Sequence, residues 1–570
     1  MPPLKSSDGE YLEGAGNSSN FLGHVNPTFE GAPEDDCEPD TITGSRSAPP
    51  PDGVNTLAHQ EATVKDVAIP RKDKLPSKQV SVRASDIDDP TEQPNTTNSE
   101  PCIRTQLLGA LMAAMTQLSL GTIVGLPGVT LPQLTDPHSS DLYLDTNQVA
   151  LFGSLVHIGA VVGSIAGGMM NLYVGQRVTL LLAMPFSLAL WLAMSFASTV
   201  WLLLLVRTLL GLTQGLVGAA SGNYVIELSS SKLRGRLTGF IETGRQIGFL
   251  MVYLVGSLDL TWREVMLVCG CITAIPPFVG LLFLPDSPRW LVTRGRFDEA
   301  RKSLLFFRGS HYDIQPEFDS ITDQIKKTSA NKKSLKDQLR QMREPSVLRR
   351  MLLLAFLMIA IQFTGNMSIA TYVVPIFQAT NSGINSYVSA ALVGSIRVVG
   401  TIVFLLVVDR VGRRSMIFVT TLTCATTMMS LGVYFFLHHQ GVDVGDISWL
   451  PLSTIMVFTA FVCGAQAVMS LLRSELLPTS VRATTTAIMY VFFFTGMFIA
   501  TQTFPLIVEG AGEHGAFWIY SGSCVLIALV VGLKLPETQG LSLEQIDDLF
   551  RYGERTVQAI NPRVSAEKVP

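Results

Sequence analysis

The chain has 570 residues, 47% of them hydrophobic and only 15% charged, with a formal net charge of −4. A soluble chain carries nearer a quarter charged residues, so a string of soluble domains is excluded despite the length. The slightly negative balance gives no footprint for nucleic acid. The seven cysteines (Cys37, Cys102, Cys269, Cys271, Cys424, Cys463, Cys524) match neither a metal-ligand spacing nor a disulfide framework. The five in or beside apolar runs read as small buried hydrophobes.

Residues 1–103 are rich in Pro, Gly, Ser and Asp and hold no long apolar run; the first hundred carry 18 acidic and 8 basic side chains, net −10. Such a segment cannot bury enough surface to offset chain entropy, so an acidic disordered tail with no signal peptide is expected. From residue 104 the pattern changes. Twelve apolar runs long enough to span a bilayer follow, at 106–133, 148–170, 178–197, 201–226, 239–257, 264–284, 349–377, 387–408, 415–437, 450–472, 483–508 and 515–535. Backbone polar groups in lipid must be satisfied within the segment, so each run is expected to be a helix. With the N-terminus inside, the outer loops hold one basic residue, Arg263. The inner loops hold Arg177, Lys232, Arg234, Arg236, Arg410, Arg413, Arg414, Arg473 and Arg482, besides a Lys- and Arg-rich segment over 286–348. This asymmetry predicts a multi-pass membrane protein with both termini cytoplasmic.

The runs form a repeat. The sixth ends in LPDSPRW (284–290) and the twelfth in LPETQG (535–540), each an apolar helix stopped by a proline and followed by an acid. Proline lacks an amide donor and clashes with the preceding turn, and the acid favours the start of the next helix. After the second run comes GMMNLYVGQR (168–177), and after the eighth VDRVGRR (408–414). Glu227 precedes Arg234 by seven residues, as Glu475 precedes Arg482. Marks in the same order in two halves give a six-plus-six repeat, which in membrane proteins points to a transporter with its site between the halves. The predicted divisions are a tail over 1–103, a first six-helix bundle over 104–285, a cytoplasmic loop with short helices over 286–348, a second bundle over 349–536 and a cytoplasmic segment over 537–570.

PDSPRWLVTRGRFDEA (285–300), VDRVGRR (408–414) and LPETQGLSLEQI (535–546) resemble the sugar porter branch of the major facilitator superfamily. That branch includes facilitated glucose transporters and insect facilitated trehalose transporters, and the likeness spans about residues 104–552. It implies two six-helix bundles, short cytoplasmic helices over 297–343 and 541–552, and a cytoplasmic gate of Glu227, Arg234, Asp409, Arg413, Arg414, Glu475 and Arg482. The first-half mark departs from the pattern. Leu172 stands at the acidic position and Gln176 at the first basic one, so the first-half latch is expected to be the weaker.

The seventh run reads IQFTGNMSIATYVVPIF (361–377). By resemblance it keeps a substrate glutamine, Gln362, and Gly365. Ile361 replaces the other glutamine, Met367 stands at the asparagine position, and Asn366 comes one place early, about 100° round a regular helix. In the tenth run, GAQAVMS (464–470) lacks the family's proline and ends on Ser470 where a tryptophan is usual. In the eleventh, Phe493 and Phe494 occupy Asn and Trp positions. Charge has been gained instead, because Glu242 occupies a glutamine position and Arg397 an asparagine position. An ionisable group inside a membrane span is a functional candidate by default. Glu242 is placed either to pair with Arg397 across the halves or to pair with Arg245 in its own helix. Tyr372 and Ser470 complete a candidate substrate set with Gln362, Asn366, Glu242 and Arg397. His157 reads as a satisfied core histidine, and Arg207 of the Arg-x-x-x-Gly mark (207–211) as a packing residue.

Proton coupling in this branch uses an acid in the first span, and Ile123 stands at that position, so facilitative transport is expected. There is no phosphate loop, metal cluster or nucleophile arrangement, which argues against an enzyme and against a cofactor. The expected function is facilitative transport of a small polar solute, most simply a hexose or trehalose, across the plasma membrane by alternating access. The partners expected are that sugar and the lipid bilayer. Two other readings stand beside it: a carrier of a charged organic solute using Arg397 and Glu242, and a non-transporting sensor signalling through its tail.

Overall fold

The computed structural model describes residues 101–539 except 139–140, 231–232, 331–334, 381–382 and 478–480, together with Gln545 and Phe550. The acidic tail over 1–100 and most of the short helix expected over 541–552 lie outside the described residues.

Every described regular element is helical. Helix α1 (Ile103–Gly125) runs into α2 (Pro127–Leu134), whose first residue, Pro127, sits where a missing N–H costs nothing; together they form the first span. The next five spans are α3 (Thr146–Tyr173), α4 (Gln176–Ser195), α5 (Val200–Leu228), α6 (Arg234–Gly256) and α7 (Trp262–Leu282). Between the halves lie α8 (Pro288–Thr293), α9 (Phe297–Arg308), α10 (Gln315–Ala330) and α11 (Leu335–Met342). The seventh span is interrupted, with α12 (Pro345–Ala360), a 3₁₀ turn (Ile361–Thr364), α13 (Asn366–Thr371) and α14 (Val373–Ala379). The rest are α15 (Ser386–Val411), α16 (Arg413–His439), α17 (Leu450–Glu475) and α18 (Arg482–Lys534).

Ten described helices are long and apolar enough to cross a membrane. Helix α18 has 53 residues, about 80 Å of helix against a core of about 30 Å, so it holds two spans. They meet at Gly512, whose φ of 71° and ψ of 170° are non-helical. The outer loop expected over 509–514 has shrunk to that one residue. Helix α6 is more polar than the others because its face carries the candidate site, and it completes the twelve spans. The expected apolar runs each correspond to one of them.

Local chemistry sets the helix starts. Asp145 and Gln148 form a reciprocal capping box at α3, and Thr261 and Glu264 form one at α7, each satisfying amide groups the first turn leaves open. In lipid there is no hydrophobic drive between helices, so small residues bring the backbones together. At the α3–α5 crossing a Cβ on Gly211 would stand 1.9 Å from the Val156 carbonyl oxygen, so no other residue fits there.

Two six-helix bundles result. Helices α3 with α5, α1 with α6 and α4 with α7 pack within the first, and α16 with α17 and α18 within the second. The bundles meet along α3 against α18 and α6 against α15. At the end of the spans distant from α8–α11, Tyr253 donates to the Ala370 carbonyl (2.8 Å) and Ser154 to the Gln502 side chain (2.5 Å). The α8–α11 segment has its own apolar cluster, with Leu291, Val292, Leu304 and Phe318 buried. It is tied to the first bundle through Arg308, which is buried, donates to the Leu228 carbonyl (2.8 Å) and pairs with Glu317 (2.7 Å).

Candidate functional site

The central site is built where the seventh span breaks. Gly365 takes φ +91°, a left-handed turn between the 3₁₀ segment and α13. A Cβ there would lie 2.5 Å from the Tyr520 ring, so glycine is needed for both conformation and space. The break re-aims Asn366. A continuous helix would have turned it about 100° from its family position, but here its Oδ1 accepts from Arg397 Nη2 at 2.9 Å. Gln362, one turn earlier, is fully buried; its amide nitrogen donates to the Met358 carbonyl (3.1 Å), and its Oε1 has no hydrogen-bond partner among the described residues.

Arg397 projects from α15 and is 2% exposed. Its Nε donates to Gln246 Oε1 on α6 (2.8 Å), and its guanidinium carbon lies 4.5 Å from the centroid of the Phe249 ring. Glu242 does not pair with it directly. Glu242 Oε1 accepts from Arg245 in its own helix and from Gln246 Nε2 at 2.8 Å. Of the two pairings expected, the one within the helix forms, because Arg245 is one turn away on the same face. Gln246 then bridges the halves, with its nitrogen on Glu242 and its oxygen on Arg397.

Sequence reasoning passed over Gln246, although its i+4 spacing from Glu242 put it on the same face. It also passed over Gln466 in α17, which is buried and has neither amide atom partnered among the described residues. The signal there was a lone glutamine in an otherwise apolar stretch.

Two nominated residues sit apart from this cluster. Tyr372 packs within its own half at the end distant from α8–α11: its hydroxyl faces the Thr501 carbonyl at 3.4 Å and its ring stacks on Phe504 at 5.1 Å. Ser470 is exposed on α17 and donates to the Gln466 carbonyl of its own helix (3.3 Å).

Arg207 is buried as a packing residue, donating to the carbonyls of Phe152 (3.0 Å) and Ile123 (2.5 Å). His157 is likewise buried, but neither ring nitrogen has a partner among the described residues, so the expectation of a satisfied histidine is corrected: it fills the core of α3 as an apolar-packed ring. Of the five cysteines read as buried, Cys269, Cys424, Cys463 and Cys524 are; Cys271 is half-buried.

The α8–α11 end carries two related charge clusters. In the second half Arg413 Nε donates to Glu475 Oε1 (3.2 Å), and Thr538 donates to Glu475 Oε2 (2.7 Å). The Glu537 carboxylate receives the first two amides of α16, from Arg413 (2.9 Å) and Arg414 (3.1 Å), where a helix end favours an anion. Arg414 donates to the Gly532 carbonyl. The first half repeats the plan with less charge. Gln176 donates to Glu227 (3.0 Å) where Arg413 does in the second half, Ser287 takes the place of Thr538, and Arg177 lies 3.6 Å from Asp286. Arg234 donates to the Ile226 carbonyl (3.2 Å), while Glu227 is met by Gln176 and Ser287. The side chains of Asp409 and Arg482 lie outside the described residues.

A family model described as "Sugar (and other) transporter" matches residues 104–550. The chain belongs to the Sugar (and other) transporter family. Among the similar proteins, the facilitated trehalose transporter Tret1 of Culex quinquefasciatus is 30% identical over 451 residues, 78% of this chain and 86% of that protein. The Tret1 of Bombyx mori is 29% identical over 462 residues, 80% of this chain and 89% of that one. Among solved structures, the xylose transporter XylE from E. coli in a partially occluded inward open conformation superposes with a TM-score of 0.63 at 20% identity, covering 76% of this chain and all of the other. The proton:xylose symporter XylE bound to 6-bromo-6-deoxy-D-glucose gives 0.63 at 22% identity, covering 78% of this chain and 99% of the other. At that identity the likeness shows the fold alone.

Proposed function

We propose that this protein is a facilitative sugar transporter of the plasma membrane that works by alternating access. The observation that carries the reading is a buried polar cluster between two bundles of a transporter family member. Gln362 Oε1, Asn366 Nδ2 and both amide atoms of Gln466 have no hydrogen-bond partner among the described residues. A buried polar atom left unpaired costs free energy, and a polyhydroxylated solute supplies the missing partners. Trehalose is the substrate named for the similar Tret1 proteins, and a hexose stands beside it as the simplest sugar reading. The solute leaves covalently unchanged, so no enzymatic step is involved.

The bundles correspond to residues 104–285 and 349–536, joined by the 286–348 segment. The basic residues concentrated on that side support cytoplasmic termini. The distant end is then the outer one, where Tyr253 and Ser154 bridge the halves. Alternating access opens this closure while the cytoplasmic ends, where Glu227, Arg234, Asp409, Arg413, Arg414, Glu475 and Arg482 are the proposed gate residues, move relative to one another; the described pairs Arg413–Glu475 and Gln176–Glu227 each tie helix ends within one half. Ile123, fully buried in α1, stands where the resemblance expects an acid in a proton-coupled porter, and an isoleucine there favours facilitated over coupled transport.

The test is uptake into proteoliposomes holding the full chain, against labelled glucose, fructose, trehalose and a polyol. Saturable uptake of a sugar that stops at equal concentrations on both sides is expected. Uptake above equilibrium under a proton gradient would refute the facilitative reading, and no flux from folded protein would refute transport.

A further inference from the structure

The central site sets two guanidiniums, Arg245 and Arg397, against one described carboxylate, Glu242, and that carboxylate contacts Arg245 rather than Arg397. Glu242 is the acid nearest the cluster, and its Oε1 is held by Arg245 and Gln246. Arg397 is left with two neutral amides, Gln246 and Asn366, and the face of Phe249. The ring quadrupole offsets part of its charge. A guanidinium buried between membrane helices with no carboxylate in direct contact is otherwise costly, and such groups mark ligand sites. Its described hydrogen bonds use Nε and Nη2, leaving Nη1 uncommitted among the described residues. Beside it the Asn366 amide nitrogen is buried and unpartnered, a second donor. Gln362 Oε1, also buried and unpartnered one turn away, is an acceptor for a hydroxyl. Two donors, one of them cationic, match a carboxylate, and the acceptor matches a sugar hydroxyl.

We propose that the preferred substrate is a sugar acid of the uronate or aldonate class, its carboxylate held by Arg397 and Asn366 and a hydroxyl by Gln362. This rests on the sugar-transport reading above and narrows its substrate. Gln246 acts as a positioning residue: it holds the Arg397 guanidinium from the opposite bundle, so a change in the spacing of α6 and α15 changes how Arg397 is presented.

The experiment uses the full chain in proteoliposomes, with labelled glucuronate, glucose and trehalose at equal concentrations under an imposed potassium diffusion potential. Glucuronate is expected to enter saturably, faster when the interior is positive, and about tenfold faster than either neutral sugar, the effect of one charge-assisted hydrogen-bond set. Arg397→Asn is expected to reverse the preference and abolish the voltage dependence, while Arg397→Lys keeps both in weakened form. Saturable glucose or trehalose flux that glucuronate neither shares nor inhibits overturns the proposal and leaves sugar transport standing. No flux of any of the three, from protein with a cooperative thermal transition, overturns both. Should Arg397→Asn fail to fold, competition on the unaltered chain decides: glucuronate must inhibit glucose entry, or the proposal is wrong.

Discussion

The pairing of Arg413 with Glu475 can be tested by removing each partner and then both. The Arg413 and Glu475 side chains are 12% and 21% exposed, and a single 3.2 Å contact joins them. Exposed pairs contribute about 0.2–1 kcal/mol, and hydrogen bonds to charged groups in drier settings about 1.5–3 kcal/mol. A mostly buried, single-point pair falls between these, at about 1.5 kcal/mol, or roughly tenfold in an equilibrium. Thr538, which shares the carboxylate at 2.7 Å, adds a smaller contribution. The assay is a double-mutant cycle on Arg413→Ala and Glu475→Ala, read both in thermal unfolding of the detergent-solubilised protein and in zero-trans sugar flux. A coupling of about 1–2 kcal/mol is expected, with each single variant impaired in flux while still reaching the membrane. The first-half counterpart, Gln176 to Glu227, is a hydrogen bond with one neutral partner, so Gln176→Ala is expected to cost about half as much. Additive effects at Arg413 and Glu475, or unaltered flux in both single variants, would refute the gate assignment.

Gly365→Ala is expected to lower the thermal midpoint and abolish flux, since it places a Cβ 2.5 Å from the Tyr520 ring at a positive φ, whereas Gly168→Ala, with nothing within 4 Å, leaves both unchanged. Equal behaviour of the two variants would show that the break in the seventh span is dispensable. A cycle on Gln246→Leu and Arg397→Asn should show coupling of about 1 kcal/mol or more, and one on Glu242→Gln and Arg397→Asn much less, because the hydrogen bonds run through Gln246; the reverse order would restore the direct ion pair. Gln362→Ala is expected to raise the KM for sugar about fivefold or more with little change in thermal midpoint, the loss of one substrate hydrogen bond of about 1 kcal/mol. An unchanged KM removes Gln362 from the substrate site.

Much of the architecture follows from residue order alone. Apolar runs of spanning length have one satisfiable backbone conformation in lipid, so the twelve helices were legible without any tertiary contact. The basic residues and the Pro-acid stops mark helix ends by the same local rules, and their recurrence exposed the two halves. What residue order could not supply was direction. Asn366 stands off the family register by one place, and only the left-handed turn at Gly365, made room for by the Tyr520 ring, brings it to Arg397. The α18 run shows the same limit: Gly512 alone replaces a loop of expected length, because a single non-helical residue reorients the chain. Glu242 had two possible partners at the level of sequence. Helical proximity gave it Arg245, and the packing of α6 on α15 put Gln246, not the carboxylate, against Arg397. Helix identity is local and periodic, whereas the charge balance of the site depends on which side chains face one another across two bundles, and that is decided only when the bundles pack.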